Sequence, residues 1–124
     1  MQAILITTEN KISIVDVTAP LHKSIGELVG GLVEHVNPRN LKHPYCMLVN
    51  ESGLCDNLPL NRIGSYLYQT YKHGCPIVGN IVIMKEDNYD WYGLEPRELD
   101  HLIHDLTQIK KLVTSEVYRR GQAT

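Results

Sequence analysis

Apolar and polar positions divide the chain into eight predicted elements. Residues 3–7 run apolar and residues 11–17 alternate, with Glu9-Asn10 between them. That pattern predicts a β-hairpin. Pro20 stops the second strand. Ser24 then opens a helical pattern in which Ile25, Leu28, Val29 and Leu32 recur, and Glu27 stands three residues on, as a capping box requires. Gly30-Gly31 lets the chain leave that helix. Residues 33–36 predict a short strand closed by Asn37-Pro38, and residues 45–50 a compact apolar strand. Asn50-Glu51-Ser52-Gly53 predicts a turn, because Asn tolerates left-handed backbone and Gly supplies positive φ. Residues 54–60 form an irregular arm, since Pro59 bars a central strand.

Asn61 is placed to cap a short helix through about residue 73, with Lys72 and His73 in its last turn and Gly74 after it. The alternation of Tyr66, Tyr68 and Thr70 leaves a strand open there. Residues 77–84 are the most β-rich run and predict the central strand. Residues 86–93 form a polar loop with three aromatics. Pro96 takes the first position of the last helix, whose stripe is Leu99, Leu102, Ile103, Leu106, Ile109, Val113 and Val117. Run to Tyr118, that helix would span about 35 Å. This exceeds what a sheet of this size needs, so its end is expected to project and pack against a second copy. The order β-β-α-β-β-α-β-α predicts an α+β fold: a mostly antiparallel sheet with helices packed on one face and a long C-terminal helix.

Composition narrows the picture. The 124 residues suit one domain with one core. Hydrophobic residues are 43 % and charged residues 21 %, which are values of a globular chain. Net charge is −2, and no segment is a basic stripe, so binding to long nucleic acid is not expected. No apolar run approaches the length of a membrane span, and the N-terminus reads as a strand instead of a signal peptide. Three cysteines without CxxC spacing argue against a disulfide framework and for a reducing cytoplasm. Phe is absent and Tyr numbers seven, so most large rings carry a hydroxyl that needs a partner or water.

Four short motifs occur in order: Leu28-Val29-Gly30-Gly31-Leu32-Val33-Glu34, Leu48-Val49-Asn50-Glu51-Ser52-Gly53, Leu58-Pro59-Leu60-Asn61-Arg62, and Pro76-Ile77-Val78-Gly79-Asn80. Together they resemble the domain-of-unknown-function family 3846, small proteins of phages, prophages and mobile elements. The resemblance covers about residues 1–85 of the single domain 1–124, leaving 86–124 as the aromatic loop and C-terminal helix. It implies a phage or mobile-element setting, and with it the cytoplasm of a bacterial host cell, and brings no known activity or catalytic residue.

Candidate chemistry falls into two classes. His43, Cys46, Cys55, His73 and Cys75 are ligand types that zinc uses, and Asp100, His101, His104 and Asp105 crowd one helix. Cysteines bordering strands are more often small buried hydrophobes, and i,i+4 pairing accounts for the helical set. No metal and no cofactor are therefore expected. Serines and cysteines lie in no nucleophile motif, and Glu86-Asp87 has no partner that the sequence identifies, so the chain is not expected to be an enzyme.

Binding has better candidates. Asn50, Asn57, Asn61 and Arg62 cluster around the arm: amides read heterocycle edges, and Arg clamps phosphate or carboxylate. The alternative is turn and cap chemistry for the asparagines and a solvated Arg62. Tyr89, Trp91 and Tyr92 could stack on a base or anchor a partner protein, or fold back over the sheet. The expectation is a non-catalytic accessory protein that forms a homodimer or larger through the long last helix or an open sheet edge. It would sequester a nucleotide-type immune signal or block a bacterial defence protein. A small metal-dependent enzyme and a protein–protein adaptor are the alternatives.

Overall fold

A computed structural model describes residues 1–116 and 118. Six antiparallel strands form one sheet. They are β1 (Gln2–Ile6), β2 (Ile12–Asp16), β3 (Val33–Val36), β4 (Tyr45–Asn50), β5 (Ile81–Asp87) and β6 (Asp90–Tyr92). The order is β2-β1-β5-β4-β3. β6 pairs with the far end of β5, on the side that β1 occupies nearer its start. Helices α1 (Leu21–Val29), α2 (Arg62–Leu67), α3 (Thr70–His73) and α4 (Pro96–Val113) complete an α+β fold. Among the described residues no helix is long and apolar enough to cross a membrane.

The helices do not share one face. Strand side chains alternate, so Ile4, Ile6, Met47, Val49, Ile81 and Ile83 point to one side and pack against Ile63 and Leu67 of α2 and Leu99, Leu102 and Leu106 of α4. Ala3, Cys46, Leu48, Val82 and Met84 point to the other side, where Ile25 and Val29 of α1 cover them. Both faces of β1, β4 and β5 are apolar, which is why the runs 45–50 and 81–84 are nearly continuous in hydrophobicity. A sheet so patterned needs a layer on each side.

Several local expectations change. α1 starts at Leu21 behind Pro20, three residues before Ser24. Ser24 therefore caps nothing; its Oγ accepts the Thr18 N–H at 3.2 Å. Gly30 ends α1 in the left-handed region (φ 86°), as its sequence position implies. The helix expected over 61–73 is split: Gln69 adopts φ 61°, so α2 ends and α3 begins anew. Residues 77–80 bend at Gly79 (φ 78°), and the central strand starts only at Ile81. The polar loop 86–93 is instead the β5–β6 hairpin, turned by Asn88 (φ 49°) and Tyr89 (φ 70°), the two positive values a type I′ turn requires.

α4 stops at Val113 after 18 residues, about 27 Å. Val117 lies outside the described residues. Tyr118 folds back, with its ring 6.4 Å from that of Tyr66, so the described end of the chain lies against α2 and does not project.

Candidate functional site

The arm between β4 and α2 is held by two buried amides. Asn61 is fully buried; its Nδ2 donates to the carbonyl oxygens of Ile6 (3.1 Å) and Gly79 (2.9 Å), and its Oδ1 accepts the Gly64 N–H (2.8 Å). Asn50 Nδ2 donates to the Val29 oxygen (3.2 Å), and its Oδ1 accepts the Ser52 N–H (2.9 Å). Both amides are thus spent on backbone and reach no solvent-facing ligand. Gly53 turns without positive φ; the left-handed residue of this stretch is Asn57 (φ 55°), which is exposed. A Cβ on Gly53 would lie 2.9 Å from Val78 Cγ2, so close approach sets the glycine here.

Arg62 stands at the mouth of a nook of about 80 Å³ with Ser65, Tyr66, Tyr71 and Tyr118. The Tyr66 and Tyr71 rings are 5.6 Å apart. Among the described residues no carboxylate lies within ion-pair distance of Arg62. The nook is well below the ~300 Å³ at which small-molecule sites begin.

The three aromatics separate. Tyr89, at the hairpin tip, is 96 % exposed. Trp91 turns to the α1 face and packs on His22, with ring centroids 5.0 Å apart. Tyr92 turns to the opposite face. The hairpin lies at the far end of β5 from Gly79 and the arm, roughly 20 Å along a seven-residue strand. Asn57 and Arg62 therefore do not share a site with Tyr89, Trp91 and Tyr92.

Tyr92 instead lines an open groove of about 740 Å³. His43 and Pro44, entering β4, form one wall, tied to β5 by the Glu86 N–H donating to the Pro44 oxygen (2.8 Å). Gln2 and Leu94 form another, joined by the Leu94 N–H donating to the Gln2 oxygen (2.7 Å). Lys85, Glu86, Asp87 and Glu95 supply side-chain charges, and the ammonium of Met1, which also lines the groove, is paired with Asp16 Oδ1 at 3.3 Å. Lys85 Nζ is already paired with Glu98 Oε1 at 2.9 Å. Burial opposes ionisation of Glu98, but hydrogen bonds from the Glu95 N–H and Lys85, with the Lys85 charge, outweigh it and hold its carboxyl below the usual glutamate range. Tyr45, beside this pair, has its phenol pushed up by burial and by the Glu98 charge. With Lys85 neutralised, Glu86, Asp87 and Glu95 leave the groove acidic.

Nothing in the sequence motifs pointed to this groove. Its signal in the sequence was Tyr92 itself, with acids on either side of it, in and just after a segment read as a polar loop.

The other candidates are scattered. Cys46 is buried and its thiol is pushed up to about 12, so it stays protonated at neutral pH and is a poor nucleophile or thiolate ligand. Cys55 and Cys75 are exposed. His73 Nδ1 accepts the Cys75 N–H (3.2 Å) and its Nε2 faces the Tyr68 oxygen (2.9 Å), which fixes the ring locally. Asp100, His101, His104 and Asp105 are exposed, and among the described residues neither i,i+4 pair closes to ion-pair distance. No three His, Cys, Asp or Glu side chains among the described residues are placed to hold a metal ion.

A family model, described as Domain of unknown function (DUF3846), matches residues 1–110. The chain belongs to this family. The match runs past the four short motifs, through the β5–β6 hairpin and most of α4, so the groove walls lie within the family region. Neither the comparison with curated proteins nor that with solved structures gave a match.

Proposed function

We propose that this protein acts by capture, without turnover, and that its capture surface is the acidic groove beside Tyr92. The reading rests on one observation: about 740 Å³ of open groove carries a half-exposed tyrosine among three carboxylates for which, among the described residues, no cation lies at ion-pair distance. That volume is in the range of ligand sites. Its charge disfavours a nucleotide-type signal, whose phosphates would meet Glu86, Asp87 and Glu95. A lysine- or arginine-bearing segment of a partner protein suits it, with the cation over the Tyr92 ring and its donors on the carboxylates. In the phage or mobile-element setting that the family resemblance implies, the partner would be a bacterial defence protein, blocked by occupation in the host cytoplasm.

The test is retention from lysate of infected, defence-positive cells on the wild-type protein and on Tyr92→Ala and Glu86→Lys variants. A protein held by the wild type and lost from both variants supports the reading. A retained nucleotide-type small molecule, or a protein held equally by all three, contradicts it.

A further inference from the structure

Among the described residues, no strand pairs with the outer edge of β2. In the β1–β2 pair, Met1 and Val17 exchange backbone hydrogen bonds (3.0 and 2.8 Å), so alternate residues Ser13 and Val15 also turn their backbone toward β1. Ile12, Ile14 and Asp16 then turn N–H and C=O outward, and among the described residues nothing accepts from or donates to them. Five residues without Pro, Lys or bulge present this edge, and Ile14 at its centre is 48 % exposed. The other edge, β3, is shorter, carries exposed Glu34 and His35, and is followed by Pro38, devices that discourage pairing.

We propose that β2 pairs antiparallel with β2 of a second copy, with Ile14 opposite its own image on the two-fold axis. In that register Ile12 meets the partner's Asp16, Ile14 meets Ile14, and Asp16 meets the partner's Ile12. All six outward groups are satisfied. Sliding by one residue would set opposite sheet faces side by side. Sliding by two keeps the faces but leaves four bonds. The chosen register buries the two exposed Ile14 side chains against each other and separates the two Asp16 carboxylates by roughly 13 Å, four residues along the strands. The joint is narrow, so the dimer is concentration-dependent and stands at the small end of specific interfaces. It leaves the groove free and holds whatever the groove takes.

The test uses the full chain with Cys55 and Cys75 replaced by Ser. Ile14→Cys brings two thiols together across Cα atoms about 5.5 Å apart and is expected to form a disulfide dimer on mild oxidation. Lys11→Cys, with its images about 20 Å apart, is expected not to. In the wild type, amide exchange at Ile12, Ile14 and Asp16 slows as concentration rises, while Ser13 and Val15 do not change. Ile14→Lys abolishes the dimer and that concentration dependence. A monomer at every concentration to the millimolar range, or cross-linking at position 11 as efficient as at 14, overturns the proposal.

Discussion

Asn61 Nδ2 lies 3.1 Å from the carbonyl oxygen of Ile6, fifty-five residues earlier. Its second proton goes to Gly79, so one amide links the end of β1, the bend before β5 and the start of α2. Asn61→Ala leaves the buried Gly79 carbonyl and Gly64 N–H without the amide and removes a second donor from the Ile6 carbonyl, and is expected to cost about 3 kcal/mol, since each orphan costs about 1–3 kcal/mol. Asn61→Asp, which sets oxygens against oxygens, is expected to be no better. Urea denaturation of both variants checks this. A loss below 1 kcal/mol would show that the amide is dispensable.

The Lys85–Glu98 pair joins the central strand to the first turn of α4, where Glu98 also accepts the Glu95 N–H (2.8 Å). The carboxyl is held below its ordinary range when folded. Its stabilisation is therefore complete above the glutamate pKa of the unfolded chain and fades as pH falls through the lower folded value. Glu98→Gln keeps an oxygen for the Glu95 N–H but loses the charge that pairs with Lys85, and is expected to cost about 0.5–1 kcal/mol at neutral pH. It should also flatten the acid limb of the stability–pH curve, as thermal melts from neutral to acid pH would record. An unchanged acid limb would place the stabilisation elsewhere.

The three aromatics of the hairpin should behave as three different residues. Trp91→Ala uncovers the α1 face and is expected to cost about 2 kcal/mol, the scale for a large apolar side chain. Tyr89→Ala should change stability by less than about 0.5 kcal/mol. Tyr92→Ala should leave the fold nearly as stable and remove partner capture. Melting curves for the set, read beside retention, separate these outcomes.

Much of the fold was legible because its periodicities are clean. Residues 33–36 and 45–50 are strands as read, Asn61 caps a helix, and Gly30 ends one. The misreadings have physical causes. Ser24 and Glu27 have capping-box spacing, but Pro20 supplies an earlier helix entry. Gln69 has no special preference for positive φ, so nothing local marks the break between α2 and α3. Asn88-Tyr89 makes a tight hairpin turn without the usual glycine, and the segment read as a loop. The one-face expectation failed because a continuous apolar strand signals burial on both sides, and this signal was assigned only to centrality.

The binding residues were harder for a different reason. An asparagine that reads a ligand and one that locks a backbone look alike in sequence, and only burial separates them. Asn50 and Asn61 lie inside. Conversely, Glu86, Asp87 and Glu95 form no motif in the sequence, and only the folded chain brings them around Tyr92 beside His43.

The most direct measurement places a photo-reactive benzophenone side chain at position 92 or at position 62 in the protein expressed in defence-positive host cells. The account predicts a covalent protein adduct from position 92 and none from position 62. An adduct from position 62 alone, with position 92 unreactive, would contradict it.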